Sequence, residues 1–253
     1  MGSLSGKVVL VTGAGIGIGQ GIASEAAREG AAVVLHYAHS EKGAEETVAE
    51  IVRQGGRATA IQGDLSKVSE CRRVVDEAAA FLGGLDILVN NGGITRTFDF
   101  LETTEETYNE VFDINIRGYF FCAQQALRHI LQRGGGSILN ITSVHGFAGM
   151  PGHAAYAGTK GAIAAFTREL AVELGPRHVR VNAIGPGAIE VPRYFTPDYD
   201  RAELGTQIPW GRVGVPVDIA KVATFLVSDA ADFVTGQVLY VDGGTTAKMA
   251  LRV

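Results

Sequence analysis

Lys7-Val8-Val9-Leu10-Val11, followed without a break by Thr12-Gly13-Ala14-Gly15-Ile16-Gly17-Ile18-Gly19, decides how this chain folds. The first five residues read as a short apolar strand. The glycines after them let the backbone turn sharply and let a ligand come close to it. An amphipathic helix then runs to about Glu29, with Ile22, Ala23, Ala26 and Ala27 on its apolar side, and Gly30 ends it. Ala32–Tyr37 is a second strand. Strand, glycine turn, helix and strand in succession form the unit that builds a parallel sheet. The helix start offers N–H groups and a positive dipole end to which a pyrophosphate can bind. The spacing runs Gly-x-x-x-Gly-x-Gly from Gly13 through Gly17 to Gly19, and is not the Gly-x-Gly-x-x-Gly of the general dinucleotide fingerprint. On this stretch alone, a nucleotide site and a ligand-free tight turn both remain open.

The alternation continues along the chain. Further strands are expected at 57–62, 86–90, 136–141, 179–184 and 238–241. Helices are expected at 40–54, from 65 to about 82, at 114–131, 153–174 and 219–227. Thr103 with Glu106 reads as a capping box for another. The pattern gives one doubly wound α/β domain over residues 1–253, a mostly seven-stranded parallel sheet flanked by helices. Ligands of such sheets sit beyond the carboxyl ends of the strands. The glycine turn, Asp64, Asn90-Asn91, Thr142-Ser143 and Pro186-Gly187 all follow expected strands, so they converge on one edge. The one long irregular segment, 185–216, is rich in proline, glycine and aromatics, as a substrate lid would be.

Composition narrows the possibilities. The 253 residues are 46% hydrophobic and 19% charged, with a net charge of -5, which suits a soluble globular protein. No basic run stands out, so nucleic acid is not an expected partner. No uninterrupted apolar stretch is long enough to span a membrane, and Met1 to Lys7 lacks the features of a signal peptide. Cys71 and Cys122 read as free thiols of a cytoplasmic protein, and no metal-binding spacing is present.

Tyr156 and Lys160 lie one helical turn apart on one face. An ammonium beside a phenol favours the phenolate and lowers the tyrosine pKa from its usual value of about 10. Such a tyrosine can exchange a proton with a substrate hydroxyl or carbonyl. The same spacing also arises where a lysine simply lies over a half-buried tyrosine.

Taken together, Thr12-Gly13-x-x-x-Gly17-x-Gly19, Asp64-Leu65, Asn90-Asn91-Gly92-Gly93, Asn115, Ser143, Tyr156, Lys160, Pro186-Gly187 and Val241-Asp242-Gly243-Gly244 resemble the short-chain dehydrogenase/reductase family in its form of about 250 residues. The resemblance covers nearly the whole chain and implies a Rossmann-like domain. Gly92 is a departure, since the family usually has alanine there. The resemblance implies an NAD(P)-dependent oxidoreductase moving a hydride between nicotinamide and a secondary alcohol or ketone. Tyr156 would be the acid in reduction and the base in oxidation. Lys160 would lower its pKa and bond the nicotinamide ribose, Ser143 would bond the reacting oxygen, and Asn115 would hold a water relaying protons from Lys160. The cofactor would lie along Gly13, Gly15, Ile16, Gly17, Ile18 and Gly19, then Tyr37, His39 and Ser40, then Asp64, Leu65, Asn91, Gly92 and Gly93, then Pro186, Gly187 and Ile189.

No carboxylate stands at position 36 or 37, and Leu35-His36-Tyr37-Ala38-His39-Ser40 resembles the strand end of NADP-preferring members. Ile16 sits where many of those carry arginine. NADP(H) is favoured over NAD(H). Thr95, Arg96, Val144, His145, Met150, His153 and 190–195, with Trp210 near the lid, are expected around the substrate; of these Thr95, His145, His153 and Arg193 are the candidate contacts. That lining leans towards a sugar, polyol or other small polar alcohol, with a 3-oxoacyl thioester of an acyl carrier protein as the alternative. A non-catalytic cofactor-binding regulator is the competing class, and the complete Asn115–Ser143–Tyr156–Lys160 set argues against it. Relatives of this kind often form tetramers through the helices at 114–131 and 153–174 and the C-terminal segment.

Overall fold

In a computed structural model that describes residues 2–192, 196 and 198–249, strand β1 (Val8–Val11) feeds the glycine turn and helix α1 (Gly17–Arg28), then strand β2 (Ala32–Tyr37). Helix α2 (Glu41–Arg53), β3 (Arg57–Gln62), α3 (Val68–Leu82) and β4 (Ile87–Asn90) follow. Next come α4 (Glu105–Phe112), a π-helical turn at Asp113–Arg117, α5 (Gly118–Gln132), β5 (Gly136–Ile141), α6 (Ala154–Leu174) and β6 (Val179–Pro186). The chain continues through α7 (Arg201–Gln207) and α8 (Pro216–Val227) to β7 (Val238–Val241). The strands form one seven-stranded sheet in the order β3-β2-β1-β4-β5-β6-β7, every pairing parallel.

Alternation along β1 divides the core in two. Val9 and Val11 join Ala23 and Ala26 of α1 and Ile219 and Ala223 of α8 on one face. Val8 and Leu10 join Val74 and Ala78 of α3 and Cys122 and Ala126 of α5 on the other. β1 and β4 are buried throughout, as the central strands of a doubly covered parallel sheet must be. Each such Val or Leu contributes about 1.5–3 kcal/mol on burial. Strand order reverses between β1 and β4, so a crevice opens beyond their carboxyl ends.

Three expectations need correction. Thr104, not Thr103, caps α4 by accepting from the Thr107 N–H at 3.3 Å. Thr103 instead donates to the Asp99 carbonyl at 3.2 Å, closing the short 3-10 turn at Phe100–Glu102. The helix expected from 114 starts regularly only at Gly118, after the π turn. The irregular segment contains α7, capped by Asp200 accepting from the Ala202 and Glu203 N–H groups, and a bridge between Ile189 and Gly214. Both cysteines are free and buried. Among the described residues no helix is long and apolar enough to cross a membrane, and no cluster of side chains suited to a metal ion occurs.

Candidate active site

The crevice is a cleft of about 660 Å³. Its floor is the glycine turn. Gly13 has φ +62°, and a β-carbon there would lie 2.6 Å from the Gly92 Cα, so only glycine fits. Asn91 pins this approach: its Nδ2 donates to the Thr12 and Gly13 carbonyls at 2.9 and 3.0 Å. Thr12 Oγ1 in turn accepts from the Asn91 and Gly92 N–H groups at 2.9 and 3.0 Å. The Gly92 departure thus sits in an intact latch. No side chain caps the start of α1, where Ile16 is the N-cap and the first turn carries no acid. A glycine-floored cleft with an uncapped helix start and 660 Å³ of room fits a dinucleotide. Gly15 and Gly19 do not line the cleft; β-carbons there would strike Ser40 Oγ at 2.1 Å and the Gly13 carbonyl oxygen at 2.3 Å.

At the far end, Ala38, His39, Ser40, Asp64 and Leu65 line the cleft. Asp64 accepts from the Ser66 hydroxyl at 2.7 Å and pairs with Lys67 at 3.3 Å; the Ser66 bond holds its carboxyl below the usual range. Tyr37 is outside the lining, its hydroxyl donating to Glu41 at 3.1 Å. His36 is only 3% exposed and joins two walls of the cleft. Its Nδ1 accepts from the Gly13 N–H at 3.1 Å, which leaves Nε2 to donate to the Gly63 carbonyl at 3.0 Å. Burial pushes its pKa down to about 4. In the sequence His36 reads as part of the NADP-type strand end or as a surface residue; it is buried, on the same face as the buried Val34.

At the near end, the π turn brings Asn115 into the core. Its Oδ1 accepts from the Ile94 N–H at 2.8 Å, and its Nδ2 donates to the Ile94 carbonyl at 2.9 Å and to Thr159 Oγ1 at 3.2 Å. Lys160 is 4% exposed, and its Nζ donates to the Ile141 carbonyl at 2.9 Å. That ammonium lies 5.5 Å from the Tyr156 ring centre and 5.6 Å from that of Tyr119. The Tyr119 hydroxyl donates to the same carbonyl at 3.2 Å, and burial raises its pKa well above the ordinary phenol value. Thr142 Oγ1 donates to the Lys160 carbonyl at 2.7 Å, tying β5 to α6. Ser143 is buried one residue on, its Oγ accepting from the His145 N–H at 3.2 Å. Ser143, Tyr156 and Lys160 all line the same cleft, with Thr95, Pro186, Gly187 and Ile189.

Beside them, the His145 ring lies 4.7 Å from that of His153 and 5.4 Å, edge-on, from that of Tyr156. His153 Nδ1 bonds the Pro151 carbonyl at 2.9 Å, so its Nε2 faces the Thr97 hydroxyl at 3.3 Å as acceptor. Arg96 pairs with both Glu110 carboxylate oxygens through its Nε and Nη2, and Glu190 pairs with Arg201. Trp210 lines a separate pocket of about 330 Å³ that shares Ile189 with the main cleft. Arg193 lies outside the described residues.

Fold and cleft define a nicotinamide-nucleotide-dependent oxidoreductase of the α/β type. The sequence model of a family described as enoyl-(acyl carrier protein) reductase matches residues 13–246. A hydroxynaphthalene reductase-like protein of Metarhizium majus is 44% identical over 259 residues, covering 96% of each chain. A protein of Sinorhizobium meliloti described as a short-chain alcohol dehydrogenase superposes with a TM-score of 0.92 at 39% identity over 97% of this chain and 98% of its own. A protein of Beutenbergia cavernae described as an NAD(P)-dependent gluconate 5-dehydrogenase, solved with NADP bound, gives 0.90 at 38% identity over 97% and 98%. The chain belongs to the short-chain dehydrogenase/reductase family and is an NAD(P)-dependent oxidoreductase acting on hydroxyl and keto groups.

Proposed function

We propose that the chain interconverts a secondary alcohol and its ketone on a small polar substrate, with NADP(H) preferred. The observation that carries this is the buried Lys160 ammonium beside the Tyr156 ring, with Ser143 on the same cleft. Nicotinamide, when bound, supplies or accepts the hydride. The chain's own residues handle the oxygen. The Tyr156 hydroxyl passes a proton to the carbonyl oxygen in reduction and takes one back in oxidation. Ser143 donates a hydrogen bond to that oxygen and steadies its developing charge. Lys160 favours the Tyr156 phenolate and, with the cofactor bound, would bond the nicotinamide ribose. Asn115 holds the Ile94 main chain and Thr159 in place, and a water on it would relay protons from Lys160.

The preference for NADP rests on the far end of the cleft. On the β2 side of it Ala38, His39 and Ser40 carry no carboxylate; Glu41 is engaged with Tyr37, and the Asp64 carboxylate of that end is taken up by Ser66 and Lys67. A polar substrate suits the imidazole pair of His145 and His153 beside Tyr156. The relatives' names mention hydroxynaphthalene and gluconate, both bearing hydroxyl groups. The assembly is a cytoplasmic homotetramer through α5 and α6, where Phe120 is 45% exposed against Phe166; of the expected lid over 185–216, residues 193–195 and 197 lie outside the described residues. The test is a fluorescence titration with NADPH and NADH, then an alcohol and ketone panel with the tighter cofactor. Tighter NADPH with turnover of polyhydroxylated ketones supports the reading. Tighter NADH overturns the cofactor assignment, and turnover of 3-oxoacyl thioesters alone overturns the substrate class.

A further inference from the structure

His36 takes up both N–H groups at the head of the glycine turn. Its side-chain Nδ1 accepts from Gly13 and its main-chain carbonyl accepts from Ala14 at 2.7 Å. Its Nε2 donates to Gly63, the residue before Asp64 on the adenine side of the cleft. One buried imidazole therefore spans the two loops between which a dinucleotide lies, and His36 itself lines the cleft.

We infer that His36 is a positioning residue for the cofactor: its neutral imidazole sets the separation of the phosphate turn from the adenine-side loop. With Gly13 and Ala14 held by His36, the N–H groups left to meet a pyrophosphate are those further along, into the first turn of α1. The imidazole reaches this state in a charged neighbourhood. Arg73 and Glu70 of α3 both face Gly63, with Arg73 also donating to the Gln62 carbonyl at 2.7 Å. Their opposing charges act on His36 in opposite senses, and burial dominates in keeping it neutral. Only the neutral form can accept at Nδ1 while donating at Nε2.

The inference rests on the dinucleotide cleft and is independent of the substrate. Two variants separate the two contacts. In His36→Asn the amide oxygen replaces Nδ1 and keeps the Gly13 bond while losing Gly63. In His36→Gln the amide nitrogen replaces Nε2 and keeps the Gly63 bond while leaving the Gly13 N–H unmet. Fluorescence titration with NADPH and with NADH should give a Kd about tenfold higher for the Gln variant than for the Asn variant, the weight of one unmet buried donor. The difference should fall on cofactor KM, with kcat at saturating cofactor much less affected. A purely structural histidine would lower the melting temperature of both variants and leave their Kd values equal, and that result overturns the inference. If the Gln variant does not fold, long-range proton–nitrogen spectra of the wild type decide. The Nε2–H tautomer at His36, with a shift on adding NADPH, supports the strut. The Nδ1–H tautomer removes it. A wild type that binds neither nucleotide would refute the cofactor reading itself, a separate failure.

Discussion

Acid should expose His36 through stability. Its pKa falls from an ordinary 6.5 to about 4, chiefly because the ring is buried. In the unfolded chain the imidazole takes its proton near pH 6.5, and in the folded chain only near pH 4. Between these values the unfolded state binds more protons, so stability falls as pH falls. The contribution is complete above pH 6.5 and gone below pH 4. At about 1.4 kcal/mol for each pH unit, the loss is about 3 kcal/mol. His36→Asn supplies the reference, because asparagine does not titrate. At pH 7.5 the wild type should be more stable by about 1 kcal/mol, the value of the Gly63 hydrogen bond. The carboxylates held low by their partners, such as Asp64 and Asp218, act alike in both proteins. Urea unfolding from pH 7.5 to 4.5 should therefore show the two stabilities crossing between about pH 5.5 and 6, with the variant more stable below. Parallel curves across that range would mean that the imidazole protonates freely in the folded protein and that the strut does not exist.

The other expectations concern the cleft and its support. Tyr156→Phe should lower turnover by about 10²–10⁴ while NADPH still binds, and a variant that keeps most of its kcat would refute the acid–base role. Asn115→Leu removes the clasp on Ile94 and Thr159 and should lower unfolding free energy by about 2–4 kcal/mol in urea, so a change below about 0.5 kcal/mol would show the clasp to be ornamental. Ala38→Asp places a carboxylate at the β2 strand end, which has none in the cleft lining, and should raise the NADPH Kd relative to that of NADH at least about tenfold; an unmoved ratio would put the 2′-phosphate elsewhere. Phe120→Glu charges an apolar face of α5 and should convert the proposed tetramer to a smaller species in sedimentation, while an unchanged species would place any interface on another face.

The sheet was legible because its inner strands are apolar runs closed by glycine or a polar turn, and the edge strand β3 follows a helix and ends in glycine. β2, β3, β5 and β7 fall where Ala32–Tyr37, Arg57–Gln62, Gly136–Ile141 and Val238–Val241 place them. The π turn was not legible, because one extra residue in a helix leaves apolar spacing nearly unchanged on either side. Asp113–Arg117 therefore merged into a single expected helix. α7 has no apolar periodicity, yet Asp200 followed by Glu203 was a start signal that could have been read. Tyr37 was expected at the cofactor as part of the strand end Leu35–Ser40; its hydroxyl donates to Glu41 one helical turn onward, a partner that depends on how α2 packs.

The position of Asn115 explains why the active-site side chains needed the fold to acquire meaning. Tyr156 and Lys160 share a face in any helix, but here their turn of α6 is fixed from several sides. Thr159 Oγ1 donates to the Tyr156 carbonyl at 2.7 Å while accepting from Asn115. Thr142 holds the Lys160 carbonyl, and the Ile141 carbonyl receives both the Lys160 ammonium and the Tyr119 hydroxyl. These bonds tie α6 to the π turn and to the end of β5, and α5 joins them at the Ile141 carbonyl. Shifting this turn of α6 or withdrawing the ammonium would therefore break bonds in buried surroundings, where each unmet group costs about 1–3 kcal/mol. The chemistry depends on that immobility, since a proton-transferring phenol must stay within hydrogen-bond reach of the reacting oxygen. A regular helix through 113–117 would carry Asn115 away from Ile94 and Thr159 together, so the backbone irregularity is what completes the support.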